Sequence, residues 1–179
     1  MILLGLGSNL SSSYGNRFQN IDMAVSALEG YGLQVKKKSS YYESLSYPNK
    51  ENPKFINIII GVETHLPPED LASLLIFIEE SLERKRGKKN DPRTCDIDII
   101  DYNEQIINFT YKNFIFSVPH EKLIYRSFVL YPLKEILPGW KHPKTNEPIA
   151  TLIDKLPRED KNSILKVNKY WYDVLMLNR

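Results

Sequence analysis

Asp96 and Asp98 stand one residue apart in Asp91-Pro92-Arg93-Thr94-Cys95-Asp96-Ile97-Asp98-Ile99-Ile100, a stretch that alternates like a strand. Side chains at i and i+2 of a strand share a face. At a rise of about 3.3 Å per residue, the two carboxylates stand about 6.6 Å apart along it, and Ile97 and Ile99 face the other way. Two acids so placed repel and lose hydration unless a cation sits between them. The window 84–93, which leads into this strand, holds six cations and one acid. An acidic notch beside a cationic loop suits a polyphosphate carried on Mg²⁺. That hard ion takes one or two carboxylates and completes its shell with water and phosphate oxygens. One pair of Asp can also serve a two-metal clamp, with ions about 3.5–4 Å apart. Arg84, Arg86 and Arg93 can each grip a phosphate bidentately, which Lys does less well. The plainer alternatives are an ion-paired surface Asp-x-Asp and a solvated helix C-terminus, where the dipole favours cations.

A second set of residues suits a flat ring. In the strand 55–64, Ile56, Ile58, Ile60 and Val62 form one apolar face, while Phe55 and Asn57 lie on the other. An amide beside an aromatic fits a heterocycle, and a half-exposed sheet surface fits equally well. If helices cover the faces bearing Ile58 and Ile97, then Phe55, Asn57, Asp96 and Asp98 share the open face. Gly7-Ser8-Asn9 reads as a tight turn, with no Gly-Lys-Ser/Thr after it to make a Walker loop. Glu79 reads as a solvated charge on a helix flank, and His120 as a surface residue. His65 and His142 lack the spacing of zinc ligands. Cys95 reads as a small packed residue.

The elements that must position these residues follow from periodicity. An apolar strand at 2–6 precedes a helix over 16–29, with Phe18, Ile21, Ala24, Val25 and Leu28 on one stripe. A strand is expected over 33–43, then a loop over 44–54 and the strand 55–64. Pro67-Pro68-Glu69-Asp70 opens a second helix lined by Leu71, Leu74, Leu75, Ile78 and Leu82. After the Asp strand come a ribbon over 109–118 and one or two short helices over 125–137. Prolines at 138, 143, 148 and 157 leave only short pieces, and the chain ends in an apolar run at 174–177. The order β-α-β-β-α-β over 2–101 predicts an α+β fold: a ferredoxin-like antiparallel sheet with two helices on one face. C-terminal short helices and an extra ribbon complete it. With 179 residues, 42% hydrophobic and 26% charged, a single domain over 1–179 is expected. A net charge of +2 is too small for a general polyanion binder, so any anion site is local. One cysteine excludes an internal disulfide and fits a reducing compartment. No signal peptide or membrane-length apolar run is visible, so the cytoplasm is the expected address and no membrane partner is expected.

Gly7-Ser8-Asn9-Leu10, Phe55-x-Asn57, Asp91-Pro92-Arg93-Thr94-x-Asp96-x-Asp98-Ile99 and Val118-Pro119-His120 occur here in order. With these motifs the chain resembles the 6-hydroxymethyl-7,8-dihydropterin pyrophosphokinase family over about residues 1–140. The resemblance implies a folate-pathway enzyme that transfers the β,γ-diphosphate of ATP to the pterin hydroxymethyl group and releases AMP, with two Mg²⁺. It implies Asp96 and Asp98 as metal ligands, and Arg84 and Arg93 as catalytic phosphate grips. It assigns Glu79, Arg86, Ile99, Ser117, His120 and Arg126 to the nucleotide. For the pterin it implies a sandwich of Phe55 and Phe128, with Ser44, Leu45, Asn57 and Asp96 around the ring. Three positions depart from the family pattern: Ser44-Leu45-Ser46 replaces Thr-Pro-Pro, Asn90 replaces a Trp, and Phe55 replaces a Tyr. Residues 150–179 are an extension without a recognisable role. The partners implied are small molecules and no nucleic acid, and a monomer is the default. Two rival functions fit the residues less well. An RNA-binding module on the same sheet topology would want an aromatic-rich Lys/Arg-Gly-Phe strand, which is absent. A metal-dependent phosphodiesterase would want a water-activating base and more ligands.

Overall fold

The computed structural model describes residues 1–85, 87 and 90–170. The expectations for Arg86 and for the apolar run at 174–177 lie outside the described residues. The first apolar run becomes β1 (Ile2–Ser8), followed by α1 (Arg17–Gly30), β2 (Gln34–Lys38), β3 (Tyr41–Ser44), β4 (Phe55–Glu63), α2 (Pro68–Ser81) and β5 (Asp96–Tyr102). A ribbon of β6 (Ile107–Tyr111) and β7 (Phe114–Val118) comes next, then a 3-10 turn at Leu123–Tyr125 and α3 (Ser127–Ile136). The chain continues through α4 (Ile149–Lys155), α5 (Arg158–Asn162) and β8 (Leu165–Val167). The main sheet runs β5-β1-β4-β3-β8, with β2 also on β4, and its pairings are antiparallel. With β2 and β3 taken as one broken strand, this is the ferredoxin-like order expected.

The break between β2 and β3 is the first departure. Ser39 donates its N–H to the Ile59 carbonyl (2.9 Å), and its hydroxyl accepts the Ile59 N–H (3.0 Å). A side-chain oxygen thus takes the place of a main-chain carbonyl, and the regular ladder is interrupted there. Helix ends follow their local chemistry more closely. Asn16 caps α1 by accepting from Phe18 and Gln19, while Gln19 reaches back to the Asn16 N–H.

Strand parity sorts the core as expected on one side. Ile56, Ile58, Ile60 and Val62 join Leu4, Leu6, Ile97 and Ile99 under α1 and α2. The other face, expected to be open, is half roofed. Leu3, Ile59 and Ile100 pack against Val129, Leu130 and Leu133 of α3 and Leu152 and Ile153 of α4, with Trp140 between them. Apolar residues at these alternate strand positions need a second cover, and the C-terminal helices supply it. The Trp140 indole donates to Asp101 Oδ2 at 2.8 Å, and the Glu104 N–H to Oδ1 at 2.8 Å. Burial pushes the Asp101 pKa up, against these two donors. The tail also reaches the sheet: β8 adds to the edge of β3 with Tyr42 opposite Lys166.

Trp140→Phe leaves the buried Asp101 carboxylate short of a donor. A loss of about 1–3 kcal/mol is expected, read as a lower urea midpoint at unchanged slope.

Candidate active site

Asp96 and Asp98 lie on β5 opposite Gly7 and Gly5 of β1. The glycines keep that face low. A Cβ at Gly5 would come within 3.1 Å of Ile100, and one at Gly7 within 3.3 Å of the Asn57 amide oxygen. The hollow above them has a volume of about 530 Å³ and takes both carboxylates into its wall. Three guanidinium groups from separate segments balance them. Arg84 Nη1 lies 2.6 Å and Arg93 Nη2 2.9 Å from Asp96, and Arg126 Nη1 lies 3.7 Å from Asp98. Burial in the cavity wall and the neighbouring Asp96 push the Asp98 carboxyl above its ordinary range, against His120 and Arg126.

Glu79 is buried, at 3% exposure, and is not the solvated charge its helix position suggested. Its Oε1 accepts the Ile97 N–H at 2.7 Å and pairs with Arg84. Arg84 is therefore held between Glu79 and Asp96. Burial works against its charge, but Asp96 and Glu79 prevail and raise its pKa. The last turn of α2 is in this way bolted to the Asp strand.

Across the cavity stand Phe55 and Asn57 of β4, with Phe128 of α3 on the same lining. Arg93 lies over the Phe55 ring at 5.3 Å and Arg126 over Phe128 at 5.5 Å. The Asn57 Nδ2 donates to Tyr42 O (3.3 Å) and Ser44 Oγ (3.0 Å). Both amide protons are spent, which leaves Oδ1 as the atom to accept from a ligand N–H. Gly7-Ser8-Asn9 is more than a turn. Asn9 Oδ1 accepts the Arg93 N–H (2.7 Å), and its Nδ2 donates to Ser46 Oγ (3.3 Å) and Pro53 O (3.0 Å). The Asn9 and Leu10 N–H groups in turn hold the Arg93 carbonyl at 3.0 and 3.2 Å. One buried amide thus joins β1, the loop 44–54 and the segment before β5.

The family model of 7,8-dihydro-6-hydroxymethylpterin-pyrophosphokinase matches residues 3–138. The chain belongs to this family. It is 34% identical over 148 residues to the 2-amino-4-hydroxy-6-hydroxymethyldihydropteridine pyrophosphokinase of Aquifex aeolicus, covering 83% of this chain and 87% of that one. It is 36% identical over 164 residues to the folic acid synthesis protein fol1 of Pneumocystis carinii, covering 92% of this chain but only 21% of that protein. The chain thus spans about a fifth of the fol1 relative. The HPPK-DHPS structure of Plasmodium falciparum superposes with a TM-score of 0.69 over 86% of this chain and 44% of that one. At 17% identity, that likeness speaks for the fold alone.

Of the residues the pyrophosphokinase pattern points to, Ser44, Leu45, Phe55, Asn57, Arg93, Asp96, Asp98, Arg126 and Phe128 line this same cavity. Glu79, Arg84, Ile99, Ser117 and His120 are not on its lining. Arg84 touches it through Asp96, and His120 Nε2 lies 3.4 Å from Arg126 Nη1. Burial pulls the His120 pKa down, against Asp98. Ser117 donates to Glu121 at 3.2 Å. The Ile99 side chain is buried under the helices, so only its main chain can meet a ligand. Ile97 turns its N–H to Glu79, away from β1, and strand alternation turns the Ile99 N–H to the same outer edge. The Ser44-Leu45-Ser46 departure is compensated in part: Ser46 donates to Pro53 O at 2.6 Å, a bond no proline side chain can make. Lys122 and Tyr125 also line the cavity, as do Lys50 and Glu159. None of these four carries a sequence signal. Asn9 sits inside a matching motif and was legible only as part of a turn.

Glu79→Ala strips the Ile97 N–H and one side of Arg84 of their partner. A loss of about 2–3 kcal/mol in urea unfolding is expected, with Glu79→Gln recovering part of it.

Proposed function

We propose that the chain transfers the diphosphate of ATP to the hydroxymethyl group of 6-hydroxymethyl-7,8-dihydropterin, giving AMP and the pterin diphosphate, in folate biosynthesis. The observation that carries this reading is the two-sided cavity. A carboxylate pair ringed by Arg84, Arg93 and Arg126 forms one side, and Phe55, Asn57 and Phe128 form the other. One side suits a phosphate chain and the other a flat, hydrogen-bonding ring.

In the proposed reaction the pterin hydroxyl oxygen attacks the β-phosphorus. A new P–O bond forms as the bond from the β-phosphorus to the bridging oxygen of the α-phosphate breaks, AMP leaves with that oxygen, and the hydroxyl proton passes to solvent. Little covalent work falls to the protein, and positioning and charge stabilisation dominate. Phe55 and Phe128 would clasp the ring faces, which adds stacking to area burial. Asn57 Oδ1 would accept from the ring edge. Arg84 and Arg93, now paired with Asp96, would exchange that partner for phosphate oxygens and stabilise the charge released on the leaving group. Glu79, Arg86, Ser117, His120, Arg126 and the Ile99 main chain complete the proposed nucleotide side, with Ser44, Leu45 and Asp96 on the pterin side.

The donor set fits Mg²⁺. Asp96 and Asp98 offer hard oxygens from one strand, and Mg²⁺ takes few protein ligands beside phosphate and water. Two ions held by this pair would neutralise phosphate charge when bound. The roof of α3 and α4 supports a small-molecule site over a flat nucleic-acid platform. A single folding unit is supported by β8 pairing back onto β3. Among the described residues no helix is long and apolar enough to cross a membrane. The buried, unpaired Cys95 agrees with a cytoplasmic setting, and a monomer remains the expected state.

AMP release from ATP is expected only with both the pterin and Mg²⁺ present, and chelation with EDTA should stop it. Asp96→Ala should lower turnover by about 10²–10³-fold or more. Near-normal Mg²⁺-dependent AMP release by that variant would remove the metal assignment. Pterin-independent ATP hydrolysis by the unaltered protein would remove the transfer reading.

A further inference from the structure

Part of the cavity wall comes from beyond the residues that the family model matches. Glu159 and Asp160 of α5 and the following Ser163 line the same hollow as Phe55 and Asn57. Facing them are Tyr47 and Lys50 of the loop that joins β3 to β4. Lys50 Nζ pairs with Glu159 Oε1, across 109 residues of sequence.

Both ends of this arrangement are anchored. The base of the loop is tied through Ser46 and Asn9, and its last residues through the Pro53 carbonyl. Among the described residues, 47–52 carry two hydrogen bonds of their own: the Asn52 N–H to Asn49 O at 3.3 Å, and the Glu51 N–H to Asn49 Oδ1 at 3.0 Å. Neither of these bonds fixes that turn against the rest of the protein. Lys50 does, through Glu159. Beyond α5 the chain is held by β8 on β3, with Leu165 opposite Glu43, and by Lys166 Nζ at 3.1 Å from Glu135. The strand that launches the loop, β3, is therefore paired with β8, the strand that follows the helix receiving its tip.

We propose that Lys50 and Glu159 are positioning residues, an ion-pair latch by which the C-terminal segment holds the loop 47–52 against the heterocycle side of the cavity. The pair touches no reacting atom. Its effect is on the affinity of the ring that the loop must enclose. An immobilised loop loses less freedom when the ligand arrives, and affinity gains accordingly. The pair is exposed to water, so the gain is modest and salt-sensitive. This proposal rests on the pterin reading of the cavity.

The test uses steady-state AMP release on the full chain. Glu159→Lys and Lys50→Glu should each raise KM for 6-hydroxymethyl-7,8-dihydropterin about three- to fivefold, with KM for ATP and kcat little changed. The double exchange Lys50→Glu/Glu159→Lys should bring that KM back to within about twofold of the parent, since contacting partners are not additive. A glutamyl endopeptidase reads the loop without substrate: cleavage after Glu51, followed by mass, should be faster in Glu159→Lys than in the parent. Unchanged pterin KM in both single variants, or single effects that add in the double, would overturn the latch. If the unaltered protein releases no AMP, the functional reading falls instead. The cleavage rates then decide the latch alone, with equal rates in parent and Glu159→Lys refuting it.

Discussion

Two carboxylates on one face of β5 repel each other, and much of the site is arranged to make them tolerable. Like charges held side by side in a cavity wall are stable only beside opposite charge. Among the described residues the compensation comes from three places: Arg84 after α2, Arg93 before β5 and Arg126 before α3. Each must be delivered by a separate piece of structure. Glu79 fixes the first by binding Arg84 and the Ile97 N–H with one buried carboxylate oxygen. The same cations that make the acids tolerable are those a polyphosphate would recruit. Ligand binding on this side is best seen as an exchange of partners within an already charged cluster, which limits the desolvation cost of each new contact.

The flat-ring side depends on a different constraint, the closure of a sheet face into a cavity. The antiparallel sheet alone would present Phe55 and Asn57 to solvent. Leu3, Ile59 and Ile100 on that face demand apolar cover, and α3 and α4 meet it. Phe128 enters the cavity because α3 is drawn down by this second core. Glycines at positions 5 and 7 keep the floor open beneath it. Asn9 then ties the floor to two loops, so that the end of β1, the loop 44–54 and the approach to β5 are fixed by one amide. The ring side and the phosphate side share a wall because Arg93 and Arg126 serve both, each lying over an aromatic ring while facing an Asp.

How much was legible from residues alone varies with the range of the interaction. Period-two alternation in 55–63 and 96–99 gave the right faces, since facing is set by immediate neighbours in a strand, but a bulge after Ile99 puts Ile100 and Asp101 on the same side. The stripes of α1 and α2 and their opening signals were equally local. Glu79 was misread as solvated because a glutamate near a helix end carries no mark of the strand N–H it will meet. The stretch 33–43 was read as one strand because a Ser hydroxyl replacing a carbonyl in the ladder looks like any other serine. The Asp pair and the Phe55-x-Asn57 strand were legible through motifs whose spacing is itself local, whereas Phe128 came from the family resemblance. Ser117 entered only through the family resemblance, which also gave His120 its role; with Arg84, legible as a phosphate grip from the cationic window, they sit beside the cavity instead of lining it.

By itself, then, the sequence determined the β-α-β-β-α-β order, the inward faces of its central strands and the chemistry of the Asp and Phe-x-Asn strands. These depend on residues a few positions apart, where backbone geometry leaves few options. Only the tertiary structure decided the second core, the Asn9 junction across 84 residues to Arg93, and the joining of Lys50 to Glu159 across 109. Such contacts arise when apolar faces find their cover and bring distant polar groups together. No spacing along the chain encodes which amide will lie beside which carbonyl once the layers have closed.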